Sequence, residues 1–253
     1  MIEQSQLYRP LNRVPEVTVD FWLIKLMAVT MGETAADFLA VNLGLGLTAT
    51  TGLMVVVLVG VMFAQLSTKR YIPSAYWLAV VMISIVGTLV TDNLIDTFGV
   101  PLTTTTAVFS VALAATFAVW FAVERTLSIH AIFTNRREAF YWLAIFLTFA
   151  LGTAVGDLIS EHFALGYLAT GILFGLIIAS LALGYFKLGL DPILGFWLAY
   201  ILTRPLGASF GDLLSQPTEY GGMGLGTIVT SAAFLVAIMM LVGLMTMRRQ
   251  RLA

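Results

Sequence analysis

The feature that most restricts the fold is an aspartate that recurs four times, each time inside a strongly apolar stretch. In each copy an aromatic residue starts the motif, a glycine follows eleven residues later, and an aspartate follows sixteen residues later. The copies begin with Phe21-Trp22, Tyr76-Trp77, Tyr141-Trp142 and Phe196-Trp197, and contain Gly32 and Asp37, Gly87 and Asp92, Gly152 and Asp157, and Gly207 and Asp212. An ionisable group at membrane depth costs about 3 kcal/mol or more, so it indicates a functional site. Four equivalent aspartates predict a ring of carboxylates around a common axis.

The composition is typical of a membrane protein. Hydrophobic residues make up 59% of the chain and charged residues 11%, whereas about 25% of residues are charged in an ordinary soluble domain. A membrane-spanning helix needs roughly 20 apolar residues. Eight segments meet this requirement, near 20–41, 47–67, 74–95, 102–123, 139–160, 165–187, 193–214 and 224–247. We therefore expect residues 1–253 to form a single all-α transmembrane domain.

The basic residues indicate the orientation of the chain. Eleven of the thirteen Lys and Arg residues lie in the two termini and in three of the loops between helices. They are Arg9, Arg13, Lys69, Arg70, Arg125, Arg136, Arg137, Lys187, Arg248, Arg249 and Arg251. The alternate loops, near 42–46, 97–101, 162–165 and 215–223, carry none. Because cytoplasmic loops are enriched in Lys and Arg, this pattern predicts cytoplasmic N- and C-termini.

Each copy of the motif belongs to a repeat of two helices. The first helix carries the motif, and the second is almost wholly apolar. Two spans per repeat keep every repeat in the same orientation, so the repeats are parallel and related about the membrane normal. We place them at about 16–72, 73–133, 137–190 and 191–247. The sequence thus predicts eight transmembrane helices from four tandem repeats, with pseudo-symmetry about the membrane normal.

The glycines and aromatic pairs of the motif have simple structural interpretations. Membrane helices approach each other closely at small residues, so we expect the glycines to be contact points between the motif helices. Trp and Tyr are enriched at membrane interfaces, so we expect the aromatic pairs to anchor the helices at the cytoplasmic headgroup level.

Polar residues of the motif helices fall on one line. Positions four apart lie on one helix face, and steps of four through each aspartate give four such lines. They read Lys25, Val29, Glu33, Asp37, Val41; then Val80, Ser84, Thr88, Asp92, Asp96; then Ile145, Phe149, Thr153, Asp157, Glu161; then Tyr200, Arg204, Ala208, Asp212, Gln216. A polar face on an apolar helix must point away from lipid. These faces therefore predict a shared polar interior.

The line yields the candidate site. The predicted ion-binding residues are Glu33, Asp37, Thr88, Asp92, Thr153, Asp157, Arg204 and Asp212, with Asp96 and Glu161 at the outer mouth. The predicted metal ligands are the carboxylates Glu33, Asp37, Asp92, Asp157 and Asp212. We interpret Arg204 as a counter-charge to Glu33 or to an aspartate, and the alternative is a grip on an anionic substrate. Lys25 lies four residues inside the interface, so we expect it to extend to the cytoplasm.

The motif resembles a known family. The recurring Gly-x-x-x-x-Asp helix, its aromatic-Trp start and the stretch Thr203-Arg204-Pro205-Leu206-Gly207 are similar to those of a bacterial family of membrane-anchored proteins built from a repeat of unknown function. The similarity extends from about Val14 to the last helix. It implies an integral protein of the bacterial inner membrane with tandem repeats, and it implies no activity.

The residues favour a transporter. Carboxylate and hydroxyl ligands in a chain without cysteine suit hard cations such as Mn²⁺, Mg²⁺ or Ca²⁺. One alternative is a proton-coupled transporter of a small organic solute, and another is a structural or regulatory membrane protein. We do not expect an enzyme, because no nucleophile or cofactor motif accompanies the acids. We expect no cofactor apart from a transported divalent cation or protons. The expected partners are the bilayer and a small ion or solute, with no nucleic acid, and the sequence allows a homo-oligomer.

Overall fold

A computed structural model describes residues 12–42 and 44–252 of the chain, with only the backbone described for Asn42 and residues 249–252. Arg9 and the side chains of Arg249 and Arg251, which enter the orientation prediction, lie outside this description. The described residues form eight α-helices: α1 (Val19–Asn42), α2 (Leu47–Leu66), α3 (Pro73–Asp92), α4 (Leu102–Glu124), α5 (Asn135–Asp157), α6 (Tyr167–Leu188), α7 (Pro192–Ser215) and α8 (Thr227–Leu252).

Seven of these helices, α2 to α8, are long and apolar enough to cross a membrane. The remaining helix, α1, has 24 residues and carries Lys25, Glu33 and Asp37 along its length. The long apolar helices indicate a multi-pass membrane protein.

The helices form two layers. The motif helices α1, α3, α5 and α7 form a closed inner ring, in which each helix packs against its two neighbours. The other four helices lie outside, and each packs mainly on the inner helix of the following repeat: α2 on α3, α4 on α5, α6 on α7, and α8 on α1. Over the most apolar 18-residue stretch of each helix, 11% to 22% of the residues are buried in the four outer helices. The corresponding fraction is 56% to 72% in α3, α5 and α7. The apolar surface therefore faces outward and the polar line faces the ring.

The motif glycines lie where the inner helices touch. A Cβ atom at any of them would collide with the next inner helix, and the partner occupies an equivalent position in every repeat. The pairs are Gly32 with Ser84, Gly87 with Phe149, Gly152 with Arg204, and Gly207 with Val29. This confirms that the glycines are contact points, and the last pair closes the ring from repeat four to repeat one.

Three of the four aromatic pairs are buried, so the expectation that the pairs anchor the helices at a lipid interface is wrong for these three. Trp22 of the first pair is only partly buried. Trp77, Trp142 and Trp197 are at most 4% exposed, as are Tyr76 and Tyr141. The hydroxyl groups of Tyr76 and Tyr141 are hydrogen-bonded at 2.6 Å. The first aromatic residue of each pair lies sixteen residues, or four steps of four, before its aspartate, so it is on the same helix face as the polar line. The rings therefore contact those of neighbouring inner helices and fill one end of the ring.

The segment before α1 packs across this aromatic end. Asn12 donates from Nδ2 to the Ile129 carbonyl at 2.9 Å, and Arg13 forms a 2.7 Å ion pair with Glu138 of α5. The Val14 side chain is buried. These contacts help to close the aromatic end of the bundle.

Candidate functional site

The four motif aspartates line one cavity inside the inner ring. The cavity has a volume of about 190 Å³. Its walls are formed by Glu33, Asp37, Asp92, Asp157, Asp212, Asp96, Glu161, Gln216, Ile95 and Leu102. Because each aspartate follows its aromatic residue by the same interval, the four inner helices present their carboxylates at one level.

The mouth of the cavity is shaped by a change in helix geometry. Directly after Asp92 and Asp157, the chain continues as π-helical turns, Asn93–Thr97 and Leu158–His162. Such turns occur frequently at functional sites. They carry Asp96 and Glu161, which are exposed. Water therefore reaches the cavity from this end.

The floor of the cavity is a buried ion pair. Arg204 reaches from α7 to Glu33 of α1, and the Nη2–Oε2 distance is 2.6 Å. The same Nη2 donates to Thr153 Oγ1 at 2.7 Å and also to Thr88 Oγ1. Thr88 in turn donates to Glu33 Oε2 at 3.1 Å. Each inner helix thus supplies one side chain to a single hydrogen-bonded layer.

Gly152 makes room for this arrangement. A side chain at Gly152 would occupy the space that holds the Cβ and Cγ atoms of Arg204. The arginine is fully buried, so it cannot shift into solvent. The motif glycine of repeat three is therefore needed for the guanidinium to enter the ring.

Above the floor, negative charge is in excess. Asp37 accepts a 3.3 Å hydrogen bond from Gln216 Nε2. Among the described residues, no group donates a hydrogen bond to the carboxylates of Asp92, Asp157 or Asp212. Carboxylates that share one site of low dielectric cannot all stay ionised without protons or bound cations between them. The cavity therefore needs bound protons or cations to balance its carboxylates.

Three of the carboxylates are close enough to share an ion. One oxygen from each of Glu33, Asp157 and Asp212 lies within 4.8 Å of the other two. Mg²⁺ binds oxygens at about 2.0–2.1 Å and Ca²⁺ at 2.3–2.6 Å. Two oxygens that bind one ion are therefore at most about 4.2 Å apart for Mg²⁺ and about 5.2 Å apart for Ca²⁺. The limit of 4.8 Å thus fits a Ca²⁺-sized site directly, and the oxygens must approach within about 4.2 Å to bind Mg²⁺. Glu33 belongs to this group and to the floor, so it connects the cavity with Arg204.

Lys25 lies below the floor, and its predicted extension to the cytoplasm is wrong. The side chain is fully buried. Its Nζ donates to the Tyr200 carbonyl at 2.8 Å and to Thr203 Oγ1. The adjacent helix α7 offers acceptors within reach, so the amine does not have to extend to the headgroups to find a partner.

The structure brings the predicted residues together in three groups. The five carboxylates line the cavity, Thr88, Thr153 and Arg204 form its floor with Glu33, and Asp96 and Glu161 lie at its mouth. The sequence analysis did not include Gln216 or Lys25 in the candidate site. Both lie on the four-residue line through the aspartates, and this line was the signal that could have identified them.

A comparison with protein families matches the whole repeat pattern. The family model described as Repeat of Unknown Function (DUF347) matches residues 21–71, 75–126, 140–189 and 195–251. No curated protein and no solved structure matches the chain. Each matched segment starts at the aromatic residue of the motif or one residue before it. Each covers most of one inner helix and of the outer helix that follows it.

Proposed function

The chain belongs to the Repeat of Unknown Function (DUF347) family, of which it holds four tandem copies, and we propose that it transports a hard divalent cation such as Mn²⁺ or Mg²⁺ across a bacterial inner membrane. The observation that carries this proposal is the convergence of four repeat aspartates on one cavity. Residues more than fifty positions apart in sequence contribute equivalent carboxylates to the same space.

The ligands favour a hard cation. The cavity offers carboxylate oxygens and the Gln216 side chain, and the chain has no cysteine. Oxygen ligands suit Mg²⁺, Mn²⁺ and Ca²⁺, whereas thiolates select softer metals. The three oxygens of Glu33, Asp157 and Asp212 form the core of the proposed site.

Arg204 neutralises Glu33 in this proposal. Their ion pair leaves the four motif aspartates, together with Asp96 and Glu161 at the mouth, as the negative charge of the cavity. A divalent cation and water from the mouth supply the balancing charge. The arginine therefore sets how many positive charges the site takes up, because it already compensates one carboxylate.

The proposed membrane topology has eight spans. The charged residues Lys25, Glu33 and Asp37 of α1 face the ring and not lipid, so α1 crosses the membrane as the other helices do. The cyclic packing of the inner helices supports pseudo-symmetry about the membrane normal. Positive residues at the aromatic end support a cytoplasmic location for that end and for both termini. The cavity then opens to the outside, and the aromatic end is the closed gate of an outward-facing state.

The volume of the cavity favours a metal ion over an organic solute as the substrate. Pockets for drug-sized organic ligands measure about 300–1,000 Å³, whereas this cavity measures about 190 Å³. An ion with part of its water shell fits this space better than a metabolite does. A purely structural role is disfavoured because the carboxylates of Asp92, Asp157 and Asp212 accept no hydrogen bond from the described residues.

A growth assay tests the proposal. Cells with and without the gene are grown under limiting and excess Mn²⁺, Mg²⁺ and Ca²⁺, and cellular metal is measured by mass spectrometry. We expect the gene to change the content of one of these metals, and the Asp157→Asn variant to remove the change. Identical metal content in all strains, with the protein present in the membrane, would exclude these three ions as substrates.

A further inference from the structure

Lys25 is a buried amine that the proposed cation site does not use. It lies on the same helix face as Glu33 and Asp37, on the closed side of the Arg204 floor. Its side chain is fully buried. Among the described residues, no carboxylate forms an ion pair with it. A buried ammonium without an acidic partner is costly, so the position needs an explanation.

The surroundings of Nζ suit two protonation states. Two oxygens, the Tyr200 carbonyl and Thr203 Oγ1, accept hydrogen bonds from Nζ. A neutral amine has two N–H groups, and these two acceptors satisfy both. The third N–H group of an ammonium can point at the face of the Tyr200 ring, whose centroid is 4.3 Å from Nζ. Such a cation–π contact favours the charged form.

The charged groups around Lys25 are positive or neutral. Helix α7 contributes Tyr200 and Arg204, and α3 and α5 contribute Tyr76 and Tyr141 in the aromatic layer. Helix α2 carries no titratable residue, and α8 carries none before Arg248. Toward the aromatic end, Asp20 of α1 is paired with Arg248 and Glu138 of α5 is paired with Arg13. The other carboxylates of the inner helices lie at the level of Glu33 or beyond. Positive charge in the cavity is therefore not screened from Lys25 by an adjacent acid.

From this geometry we propose that Lys25 is the coupling residue of the transporter, which loses a proton when a cation occupies the carboxylate site and regains it when the cation leaves. The proposal rests on the proposed function and adds a coupled ion, the proton, and the residue that carries it. In the step, one N–H bond of the ammonium breaks and the electron pair stays on Nζ. The proton passes to water that reaches Nζ when the aromatic end opens during the transport cycle.

The distance between the two sites suits such coupling. Glu33 follows Lys25 by eight residues, which is a rise of about 12 Å along a helix. At this separation and an effective dielectric constant near 20, each unit of positive charge in the cavity shifts the proton equilibrium of the amine about tenfold. A divalent ion shifts it about a hundredfold by the same relation. Cation and proton then exclude each other, which gives exchange of one for the other.

The test measures protons released per cation bound. The full chain, purified in lipid nanodiscs and weakly buffered, is titrated with Mn²⁺, while a pH indicator records released protons and calorimetry records bound Mn²⁺. Lys25→Met removes the titrating group, and Lys25→Arg keeps a permanent charge. Lys69→Met removes an exposed lysine and serves as the control. Elution as a single species in gel filtration qualifies each variant as folded.

We expect both Lys25 variants to bind Mn²⁺ and to release about one proton fewer per ion than the wild type, since metal binding is linked to deprotonation. Lys69→Met is expected to behave as the wild type. Proton release that is unchanged in a folded Lys25 variant overturns the coupling role while the cation site stands. A wild-type protein that binds none of Mn²⁺, Mg²⁺ and Ca²⁺ overturns the proposed function, and the coupling role fails with it.

Discussion

Arg204 of the last repeat and Glu33 of the first form a 2.6 Å ion pair in the centre of the helix ring, with side-chain exposures of 1% and 6%. The pair joins the two ends of the repeat array, because α7 and α1 are neighbours in the ring. It also separates the open, acidic half of the interior from the closed, aromatic half. The central relationship of the fold is therefore also the base of the proposed binding site.

Removal of one member of this pair is predicted to destabilise the protein strongly. Arg204→Met leaves Glu33 buried without its counter-charge, and breaking a buried pair in this way costs about 3–5 kcal/mol. The double variant Glu33→Gln with Arg204→Met is expected to recover most of the loss. Thermal unfolding in detergent measures both, and Arg70→Met, at an exposed position, is the control. Equal stability of Arg204→Met and the wild type would show that the pair does not hold the ring together.

The motif glycine of repeat three gives a second prediction. Gly152→Ala places a methyl group where the Arg204 stem lies, and overpacking of this kind costs about 1–3 kcal/mol. Gly60→Ala is the matched control, because a Cβ at Gly60 of α2 meets no atom within 4 Å. We expect a lower unfolding temperature for Gly152→Ala and an unchanged or higher one for Gly60→Ala. If the two variants unfold at the same temperature, the close approach of α5 and α7 is not a constraint.

The closed end gives a third prediction. Tyr76 and Tyr141 share a 2.6 Å hydrogen bond between α3 and α5, and both are buried. Tyr141→Phe leaves the Tyr76 hydroxyl without this partner, which costs about 1–3 kcal/mol. Tyr185→Phe, at an exposed position of α6, is expected to have no effect on unfolding. A loss of the same size in both variants would assign the change to the substitution itself and not to the hydrogen bond.

Binding in the cavity gives a fourth prediction. Asp212→Asn removes the negative charge of one of the three carboxylates whose oxygens lie within 4.8 Å of each other. We expect at least about a tenfold loss of Mn²⁺ affinity, which corresponds to about 1.4 kcal/mol of binding free energy. Glu219→Gln makes the same charge change at an exposed residue that does not line the cavity. Calorimetry of both proteins measures the effect. Equal affinities would remove Asp212 from the site.

The helices and the polar interior could be predicted from the sequence because both depend on local periodicity. A run of about 20 apolar residues specifies a span, and steps of four specify a helix face. The convergence of Asp37, Asp92, Asp157 and Asp212 followed from their equal distance to the aromatic residue. The contact between Gly152 and the neighbouring inner helix could be predicted because membrane helices approach each other closely at small residues.

The environment of Lys25 and of the tryptophans could not be predicted in the same way. A lysine near a helix end extends to water or stays inside according to what the neighbouring helix offers, and here Tyr200 and Thr203 offer oxygens. A Trp suits a membrane interface and a packed interior alike, so Trp77 alone does not distinguish them. Both questions depend on which helices are neighbours, and the order of the ring is a tertiary property.

The most direct test of the account is transport by purified protein. Proteoliposomes that contain a metal-sensitive dye are exposed to Mn²⁺, Mg²⁺ or Ca²⁺, and ion entry is compared among the wild type, Asp92→Asn, Asp157→Asn and the control Glu219→Gln. We predict entry of at least one of these ions with the wild type and the control, and its loss in both aspartate variants although they insert and fold. Ion entry that persists in both aspartate variants would contradict a shared carboxylate site as the route of transport.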